Sequence, residues 1–112
     1  MGLIPEFFPH VTGFEWDDGN SDKNWRRHRV TQAEAEQVFL NRPLLLALSV
    51  GRTHVEARYF ALGHTDLNRH LAIVFAVRGA LVRVISARPM SRRERRSYGQ
   101  AQAAQADPTL QD

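Results

Sequence analysis

The chain has 112 residues, 43% hydrophobic and 24% charged, a balance that fits one globular domain around one core and excludes both a second full domain and wholesale disorder. It has no cysteine, which removes disulfides and thiolate chemistry, and neither an apolar run near the ~20 residues of a membrane span nor a secretory leader pattern, so a cytoplasmic protein without membrane partners is expected. Lys23 is the single lysine among 15 cationic residues and the pI is near 10.2; the guanidinium fork of the remaining arginines suits phosphate and carboxylate and makes an anionic partner the first expectation.

Residues 1–13, interrupted by Pro5, Pro9 and Gly13, are expected to form a packed arm without regular structure. Phe14-Glu15-Trp16 reads as a short strand, and Asp17 or Asp18 can cap a helix running to about His28. Within that helix Asn20, Asn24 and His28 recur every four residues and share one face, with Trp25 elsewhere as the expected anchor. Thr31 and Glu34 form a capping box that starts a second helix, with Ala35, Val38 and Phe39 as its buried stripe and Pro43 as its stop.

Four strands are expected over residues 44–50, 56–63, 70–78 and 81–88, joined by turn-prone groups at Gly51, Gly63 to Asn68 and Arg78-Gly79. Connections this short predict an antiparallel sheet. The segment 71–77 is apolar on both faces and belongs in its interior. After Pro89, Ser91 and Glu94 make another capping box for a short basic helix. Residues 99–112 offer almost nothing to bury and read as a flexible tail. The fold class is therefore α+β: a four- to five-stranded antiparallel sheet, two N-terminal helices packed on it and a short C-terminal helix.

Arg83, Arg88, Arg92, Arg93, Arg95 and Arg96 crowd the last strand and helix, where a polyanion would bind. A charge run on a helix is usually a solvated face, but Arg83 and Arg88 lie in or at the end of an apolar strand, where a cation is kept only with a partner or a site. In an unbroken strand they point to opposite faces, so both serve one site only if the strand bends or ends near Ser86 or Ala87. Glu56 and Arg58 share a face with Phe60 and Leu62, either as a cross-strand ion pair or as part of a site. His28 is the most natural acid–base group, although a histidine at a helix end also caps carbonyls. Tyr98 either contacts a phosphate or base or packs its helix on the sheet. His10, His54, His64 and His70 read as surface residues. No metal-ligand spacing and no nucleotide-binding glycine motif is present, so no metal and no cofactor are expected.

The blocks Phe14-Glu15-Trp16-Asp17, Asn24 and His28, Val30 through Glu34-Ala35 to Val38-Phe39, Glu56-x-Arg58, Leu62-Gly63, Arg83-Val84-Ile85-Ser86-Ala87-Arg88, and Glu94 with Tyr98 resemble, in order and spacing, the BrnT family of toxins from type II toxin–antitoxin systems. The resemblance covers residues 14–98, which would be the toxin domain. It implies a RelE-like ribonuclease fold and a metal-independent endoribonuclease that cuts RNA and inhibits translation. It also implies neutralisation by a BrnA-like ribbon-helix-helix antitoxin, in a 2:2 heterotetramer that binds operator DNA through the antitoxin. The matching polar residues assign catalysis to His28, Glu56, Arg58, Arg83 and Arg88, and RNA binding to Arg92, Arg93, Arg95, Arg96 and Tyr98. Three positions depart from the family pattern: Asn20 stands for a lysine, Arg29 for a glycine and Gln32 for an aromatic residue. The competing reading is a non-catalytic, arginine-rich module that docks an acidic protein or nucleic acid.

Overall fold

A computed structural model describes residues 11–48 and 57–106, which run as β1 (Gly13–Glu15), α1 (Asp18–His28), α2 (Gln32–Leu40), β2 (Leu45–Leu48), β3 (Tyr59–His64), β4 (His70–Arg78), β5 (Leu81–Pro89) and α3 (Arg92–Ala106). The helices start where the sequence signals say. Asp17 caps α1 by accepting from the Gly19 and Asn20 backbone N–H groups, and Thr31 and Glu34 close the capping box of α2. Ser91 and Glu94 do the same for α3, the Ser91 N–H donating to the Glu94 carboxylate at 2.8 Å.

The strands form one five-stranded sheet in the order β1-β5-β4-β3-β2, with β4 central, as its two apolar faces require. The pairs from β2 to β5 are antiparallel. β1, however, pairs with β5 in parallel, so the sheet is mixed rather than antiparallel as expected. The reason is topological: more than half of the chain lies between Glu15 and Leu81, ample length for the crossover that parallel neighbours need.

The sheet has two differently covered faces. On one, Ala35, Val38 and Phe39 of α2 pack on Leu46, Ala61, Leu71, Ile73, Phe75, Val82, Val84 and Ala87 to make the main core. Gly63 belongs to β3 rather than to a turn, because a Cβ there would stand 2.6 Å from Val38 Cγ1. On the other face Tyr98 of α3 packs with Leu62, Ala72 and Met90. That helix reaches Ala106, through most of the segment expected as a tail. Its Ala and Gln residues are good helix formers.

α1 lies along β5 instead of covering a face. β1 pairs only with Leu81, Val82 and Arg83, and beyond it the Asn20 amide donates to the Val84 carbonyl at 2.9 Å while the Asn24 side-chain oxygen accepts from the Ala87 N–H at 3.0 Å. The four-residue spacing of these asparagines thus continues the sheet edge with side chains. Trp25 is not the anchor; it is 45% exposed, with the Arg29 guanidinium 5.1 Å above its ring. No described helix is long and apolar enough to cross a membrane.

Candidate active site

β5 carries a bulge that brings its arginines onto one face. Phe75 faces Val84 and Val74 faces Ser86, leaving Ile85 unmatched; the extra residue reverses the parity beyond it. Arg83 opposite Ala76 and Arg88 opposite Ala72 therefore share a side of the sheet, the side that carries α3. The bend anticipated near Ser86 falls one residue earlier.

The end of this face away from α3 holds a cleft of about 200 Å³ lined by Gly19, Asn20 and Lys23 of α1, Arg58 at the entry to β3, Arg78 at the end of β4, and Arg83 and Ile85 of β5. Its floor explains the convergence. Carrying the β3–β4 register one residue back from Tyr59 and Phe75 sets Arg58 beside Ala76, whose other neighbour is Arg83. Two long cations thus stand about 10 Å apart across a methyl-sized residue, at two inter-strand spacings.

The cleft cations are held differently. Arg83 is 17% exposed and grips Asp17 through both terminal nitrogens at 3.0 and 3.2 Å, with Glu15 at 3.4 Å. The hydrogen bond between them lowers the Asp17 carboxyl below its usual range and raises the Arg83 guanidinium. Arg78 reaches Glu15 at 3.3 Å. Arg58 differs: its Nε is buried with no hydrogen-bond partner, a donor left unsatisfied at a penalty of about 1–3 kcal/mol. Among the described residues, four cations against two carboxylates give the cleft an excess of positive charge, a setting that attracts phosphate and stabilises added negative charge on it.

Of the described residues expected to form the site, Arg58 and Arg83 meet here and the others do not. Arg88 is ~13 Å further along β5, at four strand steps, and spends both terminal nitrogens on Glu94 at 2.7 and 2.9 Å. His28 ends α1, two turns past Asn20 or about 12 Å along the axis; its carbonyl accepts from Arg69. Glu56, like His10 and His54, lies outside the described residues. Arg92, Arg93, Arg95 and Arg96 are exposed on α3, which springs from the end of β5 opposite the cleft. Tyr98 is fully buried, donating to the Pro43 carbonyl at 2.6 Å and meeting His64 Nδ1 at 2.7 Å, so it is a packing residue rather than an RNA contact. His64 and His70 are half-buried around its ring, not surface residues as expected.

Sequence reasoning missed Lys23 and Arg78. Lys23 lies one turn after Gly19 and Asn20, and Arg78 shares strand parity with Ala76, so both were within reach of face arithmetic. Among the described residues no cluster of three or more His, Asp or Glu could hold a metal ion.

The mixed sheet and its three helices define a small α+β protein with a cationic cleft on one sheet face. A model of the family described as the ribonuclease toxin BrnT of type II toxin–antitoxin systems matches residues 16–94, and the chain belongs to that family. Among solved structures, the 1.1 Å crystal structure of the Brucella abortus ribonuclease toxin BrnT aligns with a TM-score of 0.49 at 22% identity, covering 73% of this chain and 100% of that one. No curated protein sequence matches.

Proposed function

We propose that this toxin is an endoribonuclease whose cleft grips the scissile phosphate of RNA. Arg58 and Arg83 contact the phosphate, and their charges oppose the extra negative charge of the phosphorane formed when the ribose 2′-hydroxyl attacks phosphorus and gives up its proton to water; the P–O5′ bond then breaks, leaving a 2′,3′-cyclic phosphate. Lys23 is the cleft cation able to give up a proton, since guanidinium stays protonated, and it protonates the departing 5′-oxygen. The reaction runs without a divalent metal: guanidinium and ammonium groups provide the positive charge, and a site lined by four cations repels a metal ion. The single observation that carries this reading is the buried, unpartnered Arg58 Nε at a cleft it shares with Arg83. Family membership supports a protein antitoxin as partner, and the resemblance to BrnT supports a BrnA-like ribbon-helix-helix protein, a 2:2 assembly on operator DNA, a RelE-like fold and action in the cytoplasm.

A second reading, a non-catalytic binding module, draws on the grip of Asp17 and Glu15 on Arg83, which lowers its net charge. One experiment separates the two. Purified protein with labelled RNA in a metal chelator is expected to cut, and Arg58→Ala to lose about 10²–10³-fold in rate with no loss of stability, because the substitution removes a buried donor that had no partner. Intact RNA with wild type, or full activity in Arg58→Ala, overturns the catalytic reading.

A further inference from the structure

The cleft is not isolated. Lys23 also lines a second groove, of about 320 Å³, together with Arg26 and Arg27. These three residues fall at i, i+3 and i+4 on one face of α1, where like charges repel and cost the helix about 0.2–0.5 kcal/mol per pair. The helix dipole accounts for cations in the last turn, where Arg26 and Arg27 lie, but its effect fades beyond that turn and does not reach Lys23. Asp22 offsets part of the charge through a 3.0 Å pair with Arg26, but the two side chains are 73% and 57% exposed, and such a pair contributes little. A groove of three cations that adjoins a phosphate-binding cleft through a shared lysine matches the charge spacing of a chain with a phosphate at every nucleotide.

We infer that single-stranded RNA runs from the cleft along α1, its phosphates next to the scissile one seated in the groove of Lys23, Arg26 and Arg27, so that α1 rather than the arginines of α3 carries the substrate track. The inference rests on the ribonuclease reading for the identity of its ligand but places binding where that reading is silent. α3 leaves the sheet at the other end of β5, so a strand centred on Arg58 and Arg83 meets α1 first.

The test uses uncleavable 2′-O-methyl oligonucleotides of two, four and eight nucleotides, with binding followed by fluorescence anisotropy across a salt series. Wild-type affinity should rise with length. Arg26→Ala/Arg27→Ala should weaken the eight-mer about tenfold and flatten its log K against log salt slope by about 1.4, at ~0.7 per phosphate contact on single strands, while leaving the two-mer unchanged. Arg26→Lys/Arg27→Lys, which keeps both charges, should restore most of the slope, and far-UV circular dichroism checks that α1 is intact. The track is overturned if the alanine variant binds the eight-mer like wild type, or if Arg92, Arg93, Arg95 and Arg96→Ala loses as much or more. It is overturned as an RNA track if polyglutamate binds with the same affinity and the same dependence on Arg26 and Arg27. Failure of the ribonuclease reading looks different: unmodified RNA stays intact while the length dependence and its loss in Arg26→Ala/Arg27→Ala persist.

Discussion

Asn20 and Asn24 decide how α1 is held. Both are buried, at 3% exposure each, and a buried amide is tolerated only when its groups are paired. Asn20 donates to the Glu15 and Val84 carbonyls and accepts from the Asp17 N–H; Asn24 donates to the Asn20 carbonyl and accepts from the Ala87 N–H. The departure from the family's lysine at position 20 therefore has a structural use here, and the first-helix cation is supplied one turn later by Lys23. Arg29, the second departure, adopts the left-handed conformation with φ 55° and ψ 42°, where a glycine sits more easily; its stacking on Trp25 accompanies that strain. Asn24→Ala leaves the Ala87 N–H buried without a partner. It should lower stability by about 1–3 kcal/mol, read as a shift in the urea unfolding midpoint at constant slope; an unchanged midpoint shows that water takes over the bond.

At the scale of elements, most of the fold was legible because its signals are local. Capping boxes at Thr31 and Ser91 marked two helix starts, Asp17 a third, and the apolar run 71–77 marked the central strand. What escaped was non-local: the parallel pairing of β1, the bulge at Ile85, and the docking of α1 on a strand edge. No periodicity in one segment reports which neighbour it meets. The site followed the same division. Arg58 and Arg83 were visible as cations in apolar strands, whereas the loss of Arg88 to Glu94 depends on where α3 turns back. Gly63 is the element-scale test. Gly63→Ala puts a methyl 2.6 Å from Val38 Cγ1 and 3.3 Å from the Val38 carbonyl, and stiff, fully buried Val38 cannot rotate away. α2 must lift from the sheet, at a cost of about 1–3 kcal/mol, measurable as a lower thermal midpoint with the cleft's RNA affinity retained, since α2 packs on the opposite face. A midpoint equal to wild type sinks this account of the α2 contact.

Across the whole molecule one device recurs: a carboxylate at the start of a helix also binds an arginine from the sheet or its turns. Asp17 caps α1 and grips Arg83, Glu34 closes the box of α2 and binds Arg69 at 3.1 Å, and Glu94 closes the box of α3 and binds Arg88. Much of the arginine content is therefore structural: Arg78 too is paired, with Glu15, whereas Arg58 in the same cleft keeps a buried Nε without a partner. All three carboxyls titrate below their ordinary values. The Arg83 hydrogen bond lowers Asp17; burial opposes ionisation of Glu34, but the Thr31 N–H and Arg69 outweigh it. The Arg88 hydrogen bonds, against partial burial, hold Glu94 at about 2. A carboxyl depressed by folding stabilises the protein above its unfolded-state value and loses that contribution as pH falls through the folded one. With Glu94 18% exposed and Arg88 38% exposed, solvent screening leaves this pair roughly 1–2 kcal/mol at neutral pH. Glu94→Gln keeps the capping geometry and removes the charge, so the stability gap between wild type and variant should be full at pH 7, narrow from about pH 5 downward, and close near pH 2, the folded-state value. Denaturant titrations across that range measure it; a gap independent of pH means that Glu94 acts through shape alone and that the pairing of helix starts with sheet arginines does not set acid stability.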